Sequence, residues 1–189
     1  MSNVPKSQRH GSNFEAEHHL FRLRDTVTAL MMNDFGYSEE KYLEYIEWYR
    51  RSHEGSCENI DELVEKHMVR CRAFHKWFIE TERNTISDIL RIIQEEFTTG
   101  NSIFISETQA KFREFKERRI HIDLSIAKCY LLKHEIQYVI RTLPVDNNKF
   151  CRFDDMIEKQ ISLIKGVRKS DNRKFRSILK KDKQKNKKN

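Results

Sequence analysis

His67, Cys71 and His75 recur at four-residue spacing in "EKHMVRCRAFHKWF". On a helix that spacing points all three side chains one way, and these are residue types that zinc uses. No nearby motif supplies a fourth ligand. His67 and Cys71 also fall on an apolar stripe, where a free thiol behaves as a small buried hydrophobe. No metal site and no cofactor are assigned.

Arg70 and His75 form an R-x4-H pair, the pattern of helical-bundle ribonucleases of the HEPN type. In those, two such motifs meet at a dimer interface and act on an RNA phosphodiester. A chain with 17 Arg and 8 His offers such pairs by chance, so the ribonuclease stays an alternative. His18 and His19 stand beside Glu15 and Glu17 and read as a solvated helix start. Arg113, Lys116, Arg118 and Arg119 form a basic step, balanced by Glu114 and Glu117 or open to phosphate. No Ser/His/Asp set, acidic metal cluster or pair of catalytic carboxylates stands out. No catalytic residue is assigned, and the chain is expected not to be an enzyme.

The strongest chemical signal is charge. From Lys165 onward there are twelve Lys or Arg and two acids, Asp171 and Asp182. Residues 1–164 hold 24 basic and 27 acidic side chains, a net of −3, although the whole chain is +7. The first half of this tail, "VRKSDNRKFRSILKK", mixes the cations with Val167, Phe175, Ile178 and Leu179. Arginine offers bidentate contacts to phosphate, and Phe175 could stack on a base. The expectation is RNA binding by Lys165, Arg168, Lys169, Arg173, Lys174, Phe175, Arg176, Lys180 and Lys181, driven by counterion release. An inert solubilising tail is the alternative.

Helices must position these groups. Apolar residues at helical spacing predict helices over about 13–35, 39–52, 60–98, 107–142 and 147–165, and no convincing strand remains. Ser12/Glu15, Asn59/Glu62 and Ser106/Gln109 have capping-box spacing. The polar "ETERNT" at 80–85 predicts a kink in the third helix. Gly36, Gly55, Gly100 and Gly166 fall between periodic segments and read as helix ends. The fold class is all-α: an up-and-down antiparallel four-helix bundle over 13–166, with a short helix and loop inserted at 37–58. An N-terminal arm occupies 1–12 and a basic, partly disordered tail 167–189.

The fourth helix carries two apolar stripes. One runs Phe112, Phe115, Ile122, Ile126, Cys129, Leu132, Ile136. The other holds Ile120, Leu124, Ala127, Leu131 and Tyr138. Together they exceed the roughly 100° that one core needs. Ile120, Leu124, Leu131 and Tyr138 are therefore expected to meet another subunit; burial on two sides by the chain's own helices is the alternative. No apolar run approaches the ~18 residues of a membrane span. The N-terminus has no secretion signal, so no membrane contact and a cytoplasmic location are expected. The four cysteines stand singly, as reduced structural thiols. Without clustered glycines, Rossmann and P-loop phosphate sites are excluded.

"PKSQR", "LRDTVTALMMNDFG", "GNSIF", "ERRIHIDLSIAKCYLLKHEIQYVIRTLPVDNNKF" and "IKGVRKSDN" occur in that order over about 5–172, leaving out 37–58. This pattern resembles the Avd-type accessory proteins encoded beside reverse transcriptases of diversity-generating retroelements. They are relatives of bundle proteins encoded in ribosomal RNA intervening sequences. The resemblance implies a non-catalytic homo-oligomer, pentameric in that family. It would bind a reverse transcriptase and its template RNA and support mutagenic cDNA synthesis. It also makes Arg113, Arg118, Arg119 and Arg141 candidate RNA or polymerase contacts. The acidic body and the 37–58 insertion depart from the family pattern.

Overall fold

The computed structural model describes residues 13–55 and 59–185. The protein is all-α, with α1 (Asn13–Met32), α2 (Glu39–Ser52), α3 (Ile60–Ser102), α4 (Lys111–Thr142) and α5 (Cys151–Lys185). One-turn 3-10 segments at Asp34–Gly36 and Asn147–Phe150 follow α1 and precede α5. Among the described residues there is no strand, only an isolated bridge between Tyr37 and Val145. Ser12, the expected first cap, and Cys57 lie outside the described residues.

Four helices contact one another in a closed circuit: α1 on α3, α3 on α4, α4 on α5 and α5 on α1. Side-chain bonds fix their directions. Ser125 donates to the Ile93 carbonyl at 3.1 Å, His121 meets Glu96 at 2.7 Å, and Arg118 reaches the Gly100 carbonyl at 2.6 Å. Numbers fall along α4 as they rise along α3, so the two are antiparallel. Lys133–Glu158 at 2.7 Å and Arg168–Asp123 at 2.9 Å make α4 and α5 antiparallel as well. The common core takes Leu23 and Val27 from α1, Ile86 and Ile93 from α3, Ile122 and Leu132 from α4, and Ile157 and Ile164 from α5. Each side chain this deeply buried contributes about 1.5–3 kcal/mol against exposure.

α2 stands outside that circuit. It packs on the first third of α3 around a small second core of Tyr42, Ile46 and Val64. Tyr42 donates its hydroxyl to the Met68 carbonyl at 3.0 Å, and Arg72–Glu39 and Arg50–Asp61 pair across the two helices. Asn59 caps α3 by accepting the Glu62 N–H, as the spacing predicts, and Ser38, which the sequence reading missed, caps α2 by accepting that of Lys41.

Several sequence expectations fail for identifiable reasons. α3 does not break at 80–85. Thr81 and Thr85 donate back to the carbonyls of Trp77 and Thr81, and Arg83 reaches out to the Met31 carbonyl, so these polar side chains leave the helix uninterrupted. Gly100 does not end α3 but sits buried inside it, and a Cβ there would come 3.1 Å from Ile122. That glycine allows α3 and α4 to approach closely. α4 begins at Lys111, not 107. Glu114 accepts the Ser106 N–H at 2.7 Å, and no Ser106/Gln109 box forms. α5 runs straight through Gly166 to Lys185, with Val167 and Ile178 buried. Gly36 and Gly55 do adopt positive φ, at +73° and +81°. His19 is no solvated helix start. It is buried, and its Nδ1 lies 2.8 Å from the Gln160 amide oxygen, while Gln160 donates to the Ala16 carbonyl. Burial holds the His19 pKa below its ordinary value.

Candidate nucleic-acid interface

The continuation of α5 past Gly166 sorts its charges. Both acids of the segment turn toward α4: Asp171 pairs with Arg118 at 2.7 Å and Asp182 with Lys111. Phe175 also faces inward, stacked on Phe115 at 4.1 Å and edge-on to Phe112 at 5.3 Å. Lys165, Lys169, Arg173, Arg176, Lys180 and Lys183 remain exposed. Their spacings of three and four residues put them on one outer face, over about 27 Å of helix at 1.5 Å per residue. Lys169, Arg176, Lys180 and Lys183 have no acidic partner among the described residues. Lys165 donates to the Tyr130 hydroxyl at 2.8 Å.

α4 extends the stripe. The Arg118–Asp171 and Lys111–Asp182 pairs set the register, which brings Arg113 and Lys116 level along the bundle with residues 173–180 of α5. Arg113 and Lys116 are both exposed. A row of cations without acids interleaved is the electrostatic footprint of a phosphate backbone.

The other predicted contacts are distributed differently. Arg118 is a core residue, not a surface cation. Only 6% exposed, it binds Asp171, the carbonyls of Gly100 and Ile103, and Asn101. Arg119 is half-buried and binds Asp123 at 2.6 Å and Asn172 at 3.0 Å. Arg168 shares Asp123. Burial raises the Asp123 pKa, and these two guanidiniums more than offset that, holding the carboxyl below its ordinary range. Lys181 pairs with Glu107, and Lys174 lies over the Phe104 ring at 4.5 Å. Phe175 is half-buried, with its ring stacked on Phe115 rather than turned outward with the cations. Arg141 is exposed at the opposite end of α4.

On α4, the stripe of Ile122, Ile126, Cys129, Leu132 and Ile136 is buried. The second stripe is not. Ile120, Leu124, Leu131 and Tyr138 are 36–52% exposed along the outer face, and α2 does not cover them.

The candidate chemistry on α3 does not assemble. His67 Nε2 lies 2.9 Å from the Tyr45 hydroxyl and 3.3 Å from Cys71 Sγ, with its ring stacked on Tyr49. Burial pushes the Cys71 thiol up, away from thiolate. No three-ligand metal cluster occurs among the described residues. His75 packs edge-on against Tyr37 and Tyr42. Arg70 is exposed, about 140° around the helix from it at five residues' separation.

The sequence pattern did hold a signal for the inward acids. It was the inner stripe itself: Ile164, Val167, Asp171, Phe175, Ile178 and Asp182 continue at spacings of three and four. No family model matches the chain, and neither does any curated protein or solved structure.

Proposed function

We propose that this protein is a non-catalytic RNA-binding accessory to a reverse transcriptase, built as an up-and-down four-helix bundle that self-associates in the cytoplasm. The observation that carries the reading is the exposed cationic stripe of α5. Template RNA would lie along it, held by its phosphates, with Arg113 and Lys116 widening the track. Phosphate neutralisation releases counterions and needs no base contacts. The partner polymerase, cDNA synthesis and the pentameric state come from the resemblance to Avd-type proteins. The uncovered row of Ile120, Leu124, Leu131 and Tyr138 supports self-association, since apolar patches of this kind mark interfaces. Among the described residues no helix is long and apolar enough to cross a membrane.

The test is a charge reversal of exposed groups that hold no acid: Lys169→Glu, Arg176→Glu and Lys180→Glu together. The wild-type chain is expected to retain a structured RNA uncut and to release it as salt rises. The triple variant should keep its helical spectrum and melting temperature. Its slope of log K on log salt should fall by about 0.7–0.9 for each phosphate that is no longer neutralised. Equal binding and equal slopes in the two proteins would overturn the reading, as would RNA cleavage by the wild type. Truncation at Lys165 is the wrong test, because it also removes Val167, Asp171 and Ile178 from the packing on α4.

A further inference from the structure

A second surface lies beyond the Lys165 end of the α5 stripe. Where α2, α3 and the end of α4 meet, a cleft of about 460 Å³ is lined by Lys41, Tyr45, Phe74 and Arg141, among others, and by no acid. Lys41 and Arg141 are exposed and have no ion-pair partner among the described residues. Aromatic rings continue outward from it. Tyr45 stacks on Trp48 at 5.9 Å, and Phe74 lies 5.7 Å from Trp77. Tyr45, Trp48, Phe74 and Trp77 are 39–62% exposed, far from the burial such rings reach in a core.

The two surfaces differ in kind. Phe175, the one ring that α5 itself places among these cations, is held against α4, and Phe104 and Tyr130 beside them are covered by Lys174 and Lys165, so charge, not stacking, dominates the stripe. The cleft offers both, and cations beside exposed rings are what single-stranded nucleic acid needs: a charged track for phosphate and π-faces for unpaired bases. Its charge complements a polyanion, and its size is within the range of ligand sites. We propose that the cleft takes a single-stranded segment of RNA, its bases stacking on Phe74 and Tyr45 and its phosphates held by Lys41 and Arg141. This rests on the reading of the protein as RNA-binding. It adds that a structured RNA is gripped twice: a paired region along α5, and an unpaired one here, about 16 Å along α4 from the Lys165 end of the stripe and about 45 Å from its Lys183 end.

Trp48 and Trp77 are the only two tryptophans in the chain, so intrinsic fluorescence reports on this surface alone. The experiment titrates the full-length protein with an unstructured oligouridylate and follows tryptophan emission. In parallel, a labelled RNA duplex is followed by anisotropy. Saturable quenching by oligouridylate that weakens with salt is expected. Phe74→Ala should weaken it about fivefold or more, the effect of losing one stacked base. The α5 triple reversal should leave it unchanged while weakening the duplex. Should Phe74→Ala lose helical signal, Lys41→Glu with Arg141→Glu replaces it, since both side chains are exposed. Duplex binding with no change in emission would overturn the second surface and leave the proposed function standing. No binding of either RNA would remove both. Emission that responds to a reverse transcriptase but not to oligouridylate would assign the cleft to protein docking and overturn the inference.

Discussion

Arg118 is where a structural and a functional role separate most sharply. Its guanidinium lies between the end of α3 and the C-terminal half of α5. Two of its bonds go to the Gly100 and Ile103 carbonyls, in a region where helix-terminal carbonyls have no partner within the helix. A third holds Asp171, whose side chain is only 17% exposed. Arg118→Met fills the same space but leaves Asp171 charged, largely buried and alone. Removing one member of a buried pair costs about 3–5 kcal/mol. For a chain of this size that lowers the melting temperature by about 6–20 °C, at 2–4 °C per kcal/mol. Thermal unfolding by circular dichroism measures it. The double variant Arg118→Met/Asp171→Leu should recover most of the loss, because an apolar pair of similar volume carries no stranded charge. RNA affinity of the double variant, measured well below its melting temperature, should match wild type. A single variant that melts like wild type yet loses RNA would refute the core assignment and return Arg118 to the contact surface.

Glu82 supplies a prediction in pH. It is 5% exposed, its Oε2 has no hydrogen-bond partner, and burial, with the Glu135 charge adding to it, raises its pKa above the ordinary 4.5. The folded state therefore binds this proton more tightly than the unfolded one, so its contribution to stability falls as pH rises from about 4.5 through the folded pKa, then levels off. Glu82→Met should be more stable than wild type by about 1–3 kcal/mol at neutral pH, with the gap narrowing as pH falls through the raised folded pKa toward about 4.5 and levelling off below it; a gap that widens toward acid would contradict this. For self-association, Leu124→Glu with Leu131→Glu should reduce the mass seen by light scattering toward that of the single chain without lowering its melting temperature. Unchanged mass would place any interface elsewhere.

Much of the helical content was legible because periodicity reads directly into burial. Ile122, Ile126, Cys129, Leu132 and Ile136 form one buried face, as their spacing required. Helix ends were less legible, because local signals there compete with tertiary ones. A glycine inside a helix costs about 1 kcal/mol against alanine. At Gly166 that is outweighed by the residues beyond it: Val167 and Ile178 in the interior and two acids paired to α4. At Gly100 the missing side chain is what allows the helices to touch. Charge was the least legible feature, since a cation's type does not say which way it points. Even so, Arg118 lies three residues after Phe115 and four before Ile122, on the inner stripe of α4. Its position gave the inward answer that its charge obscured. The union of Tyr45 and Phe74 with Arg141 depends on how α2 folds back on α3 and where α4 ends, and no local pattern encodes that.

The basic stripe and the packing of α5 are two results of one sorting. A helix with like charges at three- and four-residue spacing repels itself by a few tenths of a kcal/mol per pair. Alone, the 167–185 segment would be a poor helix. Asp171 and Asp182 anchor it to α4, and Phe175 and Ile178 add apolar contact. Because both acids are used on the inner face, no acid of this segment neutralises the outer cations. Anchoring and exposure of charge are thus coupled: the same pairs that hold the helix down leave its outer face rich in cations. An RNA phosphate backbone laid on that surface would relieve the repulsion that the anchors oppose, so binding and helix stability reinforce each other. Salt separates the two, since it screens the repulsion within α5 while weakening the grip on RNA. A tail that was only a disordered solubility device would need neither the inward acids nor the ring stacked on Phe115, and this segment has both.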